Sequence, residues 1–265
     1  MYLTLDWVTN RENVVANPAS RFFQKPVLSG DNIELPTLYT QSINPMSQYI
    51  EFLLEHRDSF QNFGGLIAPL NVKYVVLAHE ADFASYEFLH HQEDLEVVVE
   101  TERITLFRNA HPTAPVYLTS EIALISDWEE LLERSQYEDI TKRLYVLTSS
   151  TDFPSSSSET GSSQIEPLDI RKRSQLSYDV QGGGNGFLVL ALPQRANPDG
   201  WRLNGDESNF LNMNISPAFT YAGVGQVNYR QFYLVYLPTL IVSLLTLVVM
   251  LVVVTDLRII FRKPS

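Results

Sequence analysis

From Gln231 to Thr255 the chain carries no charged residue; the stretch reads QFYLVYLPTLIVSLLTLVVMLVVVT. A helix needs roughly 20 apolar residues to cross the hydrocarbon core of a bilayer, so this run is long enough even when tilted. Phe232, Tyr233 and Tyr236 stand at its start, where interfacial aromatics are expected. Pro238 falls where a first-turn proline or a kink is tolerated. A buried core helix of this length carries a polar face, and this run has none. Residues 231–255 are therefore expected to form a transmembrane helix. The tail 256–265 follows, with Arg258, Arg262 and Lys263 against Asp256.

The flanks set an orientation. Residues 1–230 hold 16 basic and 30 acidic residues, a net of −14, whereas the whole chain is at −12. The mean hydropathy of −0.07 is thus the sum of a polar domain and an apolar helix. The positive-inside rule predicts a single-pass protein of the cell membrane, with the tail cytoplasmic and the large N-terminal part outside. The opening residues MYLTLDWVTNRENVV show no basic n-region, apolar core or small-residue cleavage site. Two expectations reconcile these facts. The chain is the C-terminal part of a longer multi-spanning protein whose earlier helices export it, or it is a tail-anchored protein with its domain in the cytoplasm. The basic tail disfavours the second.

Before the span, residues 1–45 read as irregular, punctuated by Pro18, Pro26, Pro36 and Pro45. Asn44-Pro45 is a helix start, with Met46, Tyr49, Ile50, Leu53 and Leu54 on one face. Gly64-Gly65 reads as a helix end or separator. Strands are expected at LNVKYVVLAHE, at the pair LEVVVETERITLFRNA, at VYLTSEIALI and at KRLYVLTSS, with a short helix at DFASYEFLHHQ. Ser126 to Glu129 reads as a capping box opening DWEELLERSQ. Residues 46–148 therefore form an α+β unit. Residues 149–163, SSTDFPSSSSETGSS, are a Ser-rich linker or loop. Residues 164–230 read as a small all-β, sandwich-like unit, with turns at Gly182 to Gly186 and at Asn204-Gly205.

Chemistry is sparse. With no cysteine, thiolate zinc sites, iron–sulfur clusters and cysteine nucleophiles are excluded. The acidic balance argues against nucleic acid as a partner. His90-His91 reads as two surface histidines at a helix end rather than a metal site, since neighbours on a helix point about 100 degrees apart. Glu93-Asp94, Glu129-Glu130 and Glu138-Asp139 read as solvated surface. The glycine-rich stretch lacks the Lys-Ser/Thr of a phosphate loop, and no GxSxG occurs. No metal site and no cofactor are expected. Asn214-Ile215-Ser216 is an N-glycosylation sequon followed by Pro217. In the distinctive stretch 197–233, Trp201 anchors the β-unit or stacks on a sugar, with Asp199 and Asn204 as neighbouring polar groups.

A series of short motifs then aligns with a known family. Leu70 to Val76 is similar to its "lgvkYvv" strand. Ile104 to Asn109 and Ala114 to Leu118 are similar to its "v.lyrN…Pr.yl" pair. Gly186 to Ala191 and Asn197 to Gly205 are similar to "gfLvls…ypgW.v.vdG", with Asp-Gly-Trp in place of Pro-Gly-Trp and Asn-Gly in place of Asp-Gly. Gly225 to Tyr229 is similar to the closing "G…v.v.Y.p" before the last helix. Over roughly residues 60–250 the chain resembles the C-terminal extracytoplasmic region and last transmembrane helix of YfhO-like, GT-C-type multi-spanning glycosyltransferases. The N-terminal helices that carry catalysis, metal and polyprenyl-phosphate binding in such enzymes lie outside the match. The resemblance implies a non-catalytic accessory module that binds glycan or a partner, or shields the catalytic half. Its partners would be the lipid bilayer, a multi-spanning chain and glycan. A tail-anchored cytoplasmic interaction protein is the alternative, and a tethered hydrolase lacks its constellation.

Overall fold

The computed structural model describes residues 2–5, 27–29, 45–79, 83–148, 166–174, 176–192, 200–229 and 237–261. The fold is mixed α+β, mostly sheet with a few helices. In chain order the strands and helices are β1 (Tyr2–Leu5), β2 (Val27–Ser29), α1 (Pro45–Glu55), α2 (Phe63–Ile67), β3 (Tyr74–Ala78), β4 (Leu95–Glu100), β5 (Ile104–Asn109), β6 (Val116–Thr119), β7 (Ile122–Ile125), α3 (Trp128–Ser135) and β8 (Leu144–Leu147). They continue with β9 (Glu166–Pro167), β10 (Asp169–Ser174), β11 (Ser177–Leu190), β12 (Trp201–Leu203), β13 (Asp206–Glu207), β14 (Phe210–Asn212), β15 (Ser216–Tyr229) and α4 (Leu237–Phe261). A 3-10 helix at Phe83–His91 occupies the expected short helix.

The first sheet runs β2-β1-β3-β5-β4. Strands β1 and β2 fall in the segment read as irregular. They pair parallel, β1 also running parallel to β3, and they are three and four residues long, too short to show a period in the sequence. Helix α1 starts at Pro45 as expected and buries Met46, Tyr49, Ile50 and Leu53. Gly64 and Gly65 do not stop a helix. They lie inside the buried turn α2. The cap of α3 also differs from expectation by one residue. Asp127 accepts from the Glu130 amide, and Glu130 reaches back to the amide and hydroxyl of Ser126. Asp competes well with Ser for this position, and here it wins.

The second sheet runs β13-β12-β15-β11-β6-β9, with β10 added on β11 and β14 on β15. It is built on two 14-residue antiparallel strands, β11 and β15, rather than on the short pieces expected. Gly182 to Gly186 make no hairpin. Gly182 and Gly183 adopt φ of +98° and +71° and form a bulge in mid-strand, where the register shifts between Gln181 and Asn185. Glycines with positive φ suit a bulge as well as a turn, so composition could not separate the two. The Asn204-Gly205 hairpin is present, with φ of +53° and +100°.

The expected division into two units at the Ser-rich segment does not hold for the sheets. Strand β6, which precedes that segment, pairs with β11, which follows it. In return, Met213 and Ile215 from the β14–β15 turn enter the core made by α1, α2 and α3. The Ser-rich stretch 149–163 itself lies outside the described residues.

Helix α4 begins at Leu237 with Pro238 in its first turn, and it continues past Thr255 to Phe261. Its described side chains, 237–251 and 253, are exposed all round. Over the described residues, no helix is long and apolar enough to cross a membrane. Phe232, Tyr233 and Tyr236, expected from sequence at a membrane interface, lie outside the described residues.

Candidate functional site

The described residues offer one buried charged cluster. Asp94, read from sequence as half of a solvated acidic pair, is only 9% exposed. One of its carboxylate oxygens accepts from the Gly64 amide at 2.9 Å and the other from the Gly65 amide at 2.6 Å. The imidazole Nε2 of His111 lies 3.3 Å from the second oxygen. Asn109 closes the group, donating to the carbonyls of Gly64 and Val72 while its own oxygen accepts from the His111 amide. Gln92 holds the Phe63 amide. Strand β5 delivers Asn109, and the bend after it delivers His111. The hydrogen bond to Asp94 holds the His111 imidazolium to a pKa above its ordinary 6.5.

This cluster has the parts of an acid–base dyad. Both carboxylate oxygens are committed to backbone amides. The described hydrogen-bond partners of His111 include no hydroxyl, thiol or lysine that it could activate. Its plain chemistry is to satisfy the first amides of α2, which are unpaired in any helix. Nothing in the dipeptide Glu93-Asp94 signals this, because the partners lie about thirty residues earlier. Among the described residues no three His, Asp or Glu side chains gather as a metal site.

The sites expected from sequence fall elsewhere. Trp201 is 4% exposed, packed at 5.3 Å edge-on to Tyr229 and 6.1 Å from Tyr178, with its indole N–H unpartnered. A sugar platform needs an open ring face, so Trp201 is a packing residue in this fold. Asn204 shapes the hairpin. Its amide donates to the Gln226 carbonyl and its side-chain oxygen accepts from the Gln226 amide, both at 2.8 Å. Asp199 lies outside the described residues. Asn214 is exposed on a tight turn at φ of +60°, while the Ser216 hydroxyl of its sequon is buried without a partner. A glycan there would have to be attached before β15 closes.

The turn around Asn214 holds a feature that the sequence did not announce. Asn212 is buried, accepts from the Tyr145 amide at 2.9 Å and donates to the Tyr117 hydroxyl at 3.0 Å. Next to it, the Met213 carbonyl accepts from the Trp128 indole and the Met213 amide donates to the Tyr145 carbonyl. These bonds tie β14 to β6, β8 and α3. An open groove of about 680 Å³ lies near α3, with Phe60 and Phe88 as well as Arg57, Asp58, His91 and Glu93 among its walls. Of its ionisable walls, Arg57 is half-buried and Asp58, His91 and Glu93 are exposed.

The largest unexplained surface is α4 itself, apolar and exposed on every side over its described length. Such a helix is stable in water only when something covers it. No family model, no curated protein and no solved structure matches the chain.

Proposed function

We propose that the chain is a single-pass, membrane-anchored extracytoplasmic accessory module of a GT-C or YfhO-like glycosyltransferase system, without catalysis of its own. The observation that carries this reading is α4, a 25-residue helix whose described side chains are exposed all round. The helical run 237–255 is uncharged. At 1.5 Å per residue it is about 28 Å long, close to the roughly 30 Å of a hydrocarbon core. It contains 13 Leu, Ile and Val residues. At about −0.3 to −0.6 kcal/mol each, the upper figure for insertion is roughly −4 to −8 kcal/mol, which favours lipid over water decisively. The basic tail favours a cytoplasmic C-terminus.

The reading is tested in membranes expressing the full chain. Alkaline carbonate is expected to leave it in the pellet. Protease added to intact spheroplasts is expected to cut within 149–163. Cleavage only after permeabilisation would establish the tail-anchored alternative instead. The purified chain is expected to turn over no polyprenyl-phosphate sugar, and measurable turnover would overturn the accessory role.

A further inference from the structure

In an acidic chain, Arg171-Lys172-Arg173 is the only run of three consecutive basic residues. It lies on β10, an added strand of the second sheet, and all three are exposed. Register fixes which end of the sheet it occupies. Ser174 pairs with Ser177, and Ser177 pairs with Asn228. The Tyr229 amide donates to the carbonyl of Leu176, within the turn that joins β10 to β11. Tyr229 ends β15, and α4 starts only eight residues later, at Leu237. Eight residues reach at most about 28 Å, so the basic run lies at the end of the sheet from which the chain passes into α4.

We propose that the β10–β11 hairpin is a docking surface for anionic lipid headgroups of the leaflet that α4 enters. The inference rests on α4 being a membrane anchor. The charges facing that surface favour anionic lipid. Arg173 is paired with Asp179 at 2.6 Å, while Arg171 and Lys172 have no ion pair among the described residues. Asp169 sits at the opposite end of β10, paired with Gln181. On the other side of β15, Arg202 and Glu207 neutralise each other. The rest of residues 1–230 is strongly acidic and is repelled by an anionic surface. Two forces thus act together: the hairpin is drawn down and the remainder pushed away, which fixes how the domain stands on the bilayer. Each Lys or Arg near such a surface multiplies the docked population roughly fivefold.

The test uses the full chain in nanodiscs of phosphatidylcholine alone or with phosphatidylglycerol admixed. The absence of native cysteine lets Ser174→Cys carry a single environment-sensitive fluorophore. A blue shift and quenching by headgroup-region quenchers are expected only with phosphatidylglycerol, and both are expected to vanish in high salt. Arg171→Gln with Lys172→Gln is expected to lower the ratio of docked to undocked chain by about 25-fold. Both side chains are exposed, so the circular dichroism spectrum and melting temperature should not move. A signal that is the same in both lipids, or that survives the double substitution, overturns the docking. A cross-link from this position to an acidic protein, without lipid dependence, also overturns it. Carbonate extraction of the same samples separates the two readings. A retained chain with lipid-independent fluorescence sinks the docking alone, whereas an extracted chain sinks the anchor and the docking together.

Discussion

At residue scale the most consequential group is Asp94, because it is nearly buried and both of its carboxylate oxygens accept from backbone amides. Charge-assisted bonds of this kind contribute more than neutral ones, and removing the acceptor leaves two amides unpaired. Asp94→Ala is expected to lower unfolding free energy by about 3 kcal/mol, read from urea titration. A Cβ on Gly64 would lie 2.8 Å from both Asn109 and Asp94, so Gly64→Ala is expected to cost about 1–3 kcal/mol through overpacking. His111 gives the cluster a pH signature. Its folded pKa is raised above 6.5 by the hydrogen bond to Asp94, so its contribution is fully present below that value. The contribution is lost as pH rises through the folded pKa. Thermal melts should therefore fall in midpoint on going upward from about pH 6.5, and His111→Gln should flatten that slope. None of this was legible in the sequence. Glu93-Asp94 looks like any solvated pair, and the glycines that bind Asp94 look like a stop signal. By contrast Asn44-Pro45 and Asn204-Gly205 were legible, because the cause of each lies in the adjacent residues themselves.

At the scale of elements, what was hidden is what depends on distant partners. The β character of 116–119 was legible, but not its membership of the second sheet, since its partner β11 begins about sixty residues later. The same holds for the turn 213–215. Met213 and Asn214 both adopt left-handed backbone, a strained conformation for non-glycine residues. The strain is offset by the complete burial of Met213 and by the bonds that Asn212 makes to Tyr145 and Tyr117. Asn212→Ala would leave the Tyr145 amide and the Tyr117 hydroxyl without that partner. It should cost about 2–4 kcal/mol in chemical unfolding and loosen the second sheet together with the separate two-stranded parallel sheet β7–β8, visible as faster amide exchange in β8 as well as in β14. If exchange rises in β14 alone, the turn is not the tie described. The exposed edge strand β4 is managed differently. Val97, Val98 and Val99 are all more than 40% exposed, but a bulge breaks the register there and Glu96 pairs with Arg108 beside it. Bulges and charges of this kind discourage edge-to-edge pairing.

For the whole molecule, a polar, acidic part and the apolar helix α4 follow one another along the chain. The polar, acidic part builds its own cores from α1, α2, α3 and the sheets, and no described side chain of α4 is buried in them. Over its described side chains, therefore, α4 adds nothing to the burial that stabilises the sheets and gains nothing from it. This asymmetry dictates the outcome of cutting between the two. A chain ending at Arg230 is expected to melt cooperatively, with its midpoint within about 2 °C of the full chain in detergent, since surface changes away from packed features usually move stability by less than about 0.5 kcal/mol. It should also remain monomeric in buffer without detergent, where the full chain is expected to aggregate through α4. Size-exclusion chromatography with light scattering reads the second point and differential scanning calorimetry the first. A truncated chain that melts much lower would mean that α4 packs on the sheets through surfaces other than its described side chains. The helix would then be part of the domain's core, and the case for a lipid-facing anchor would fall with it.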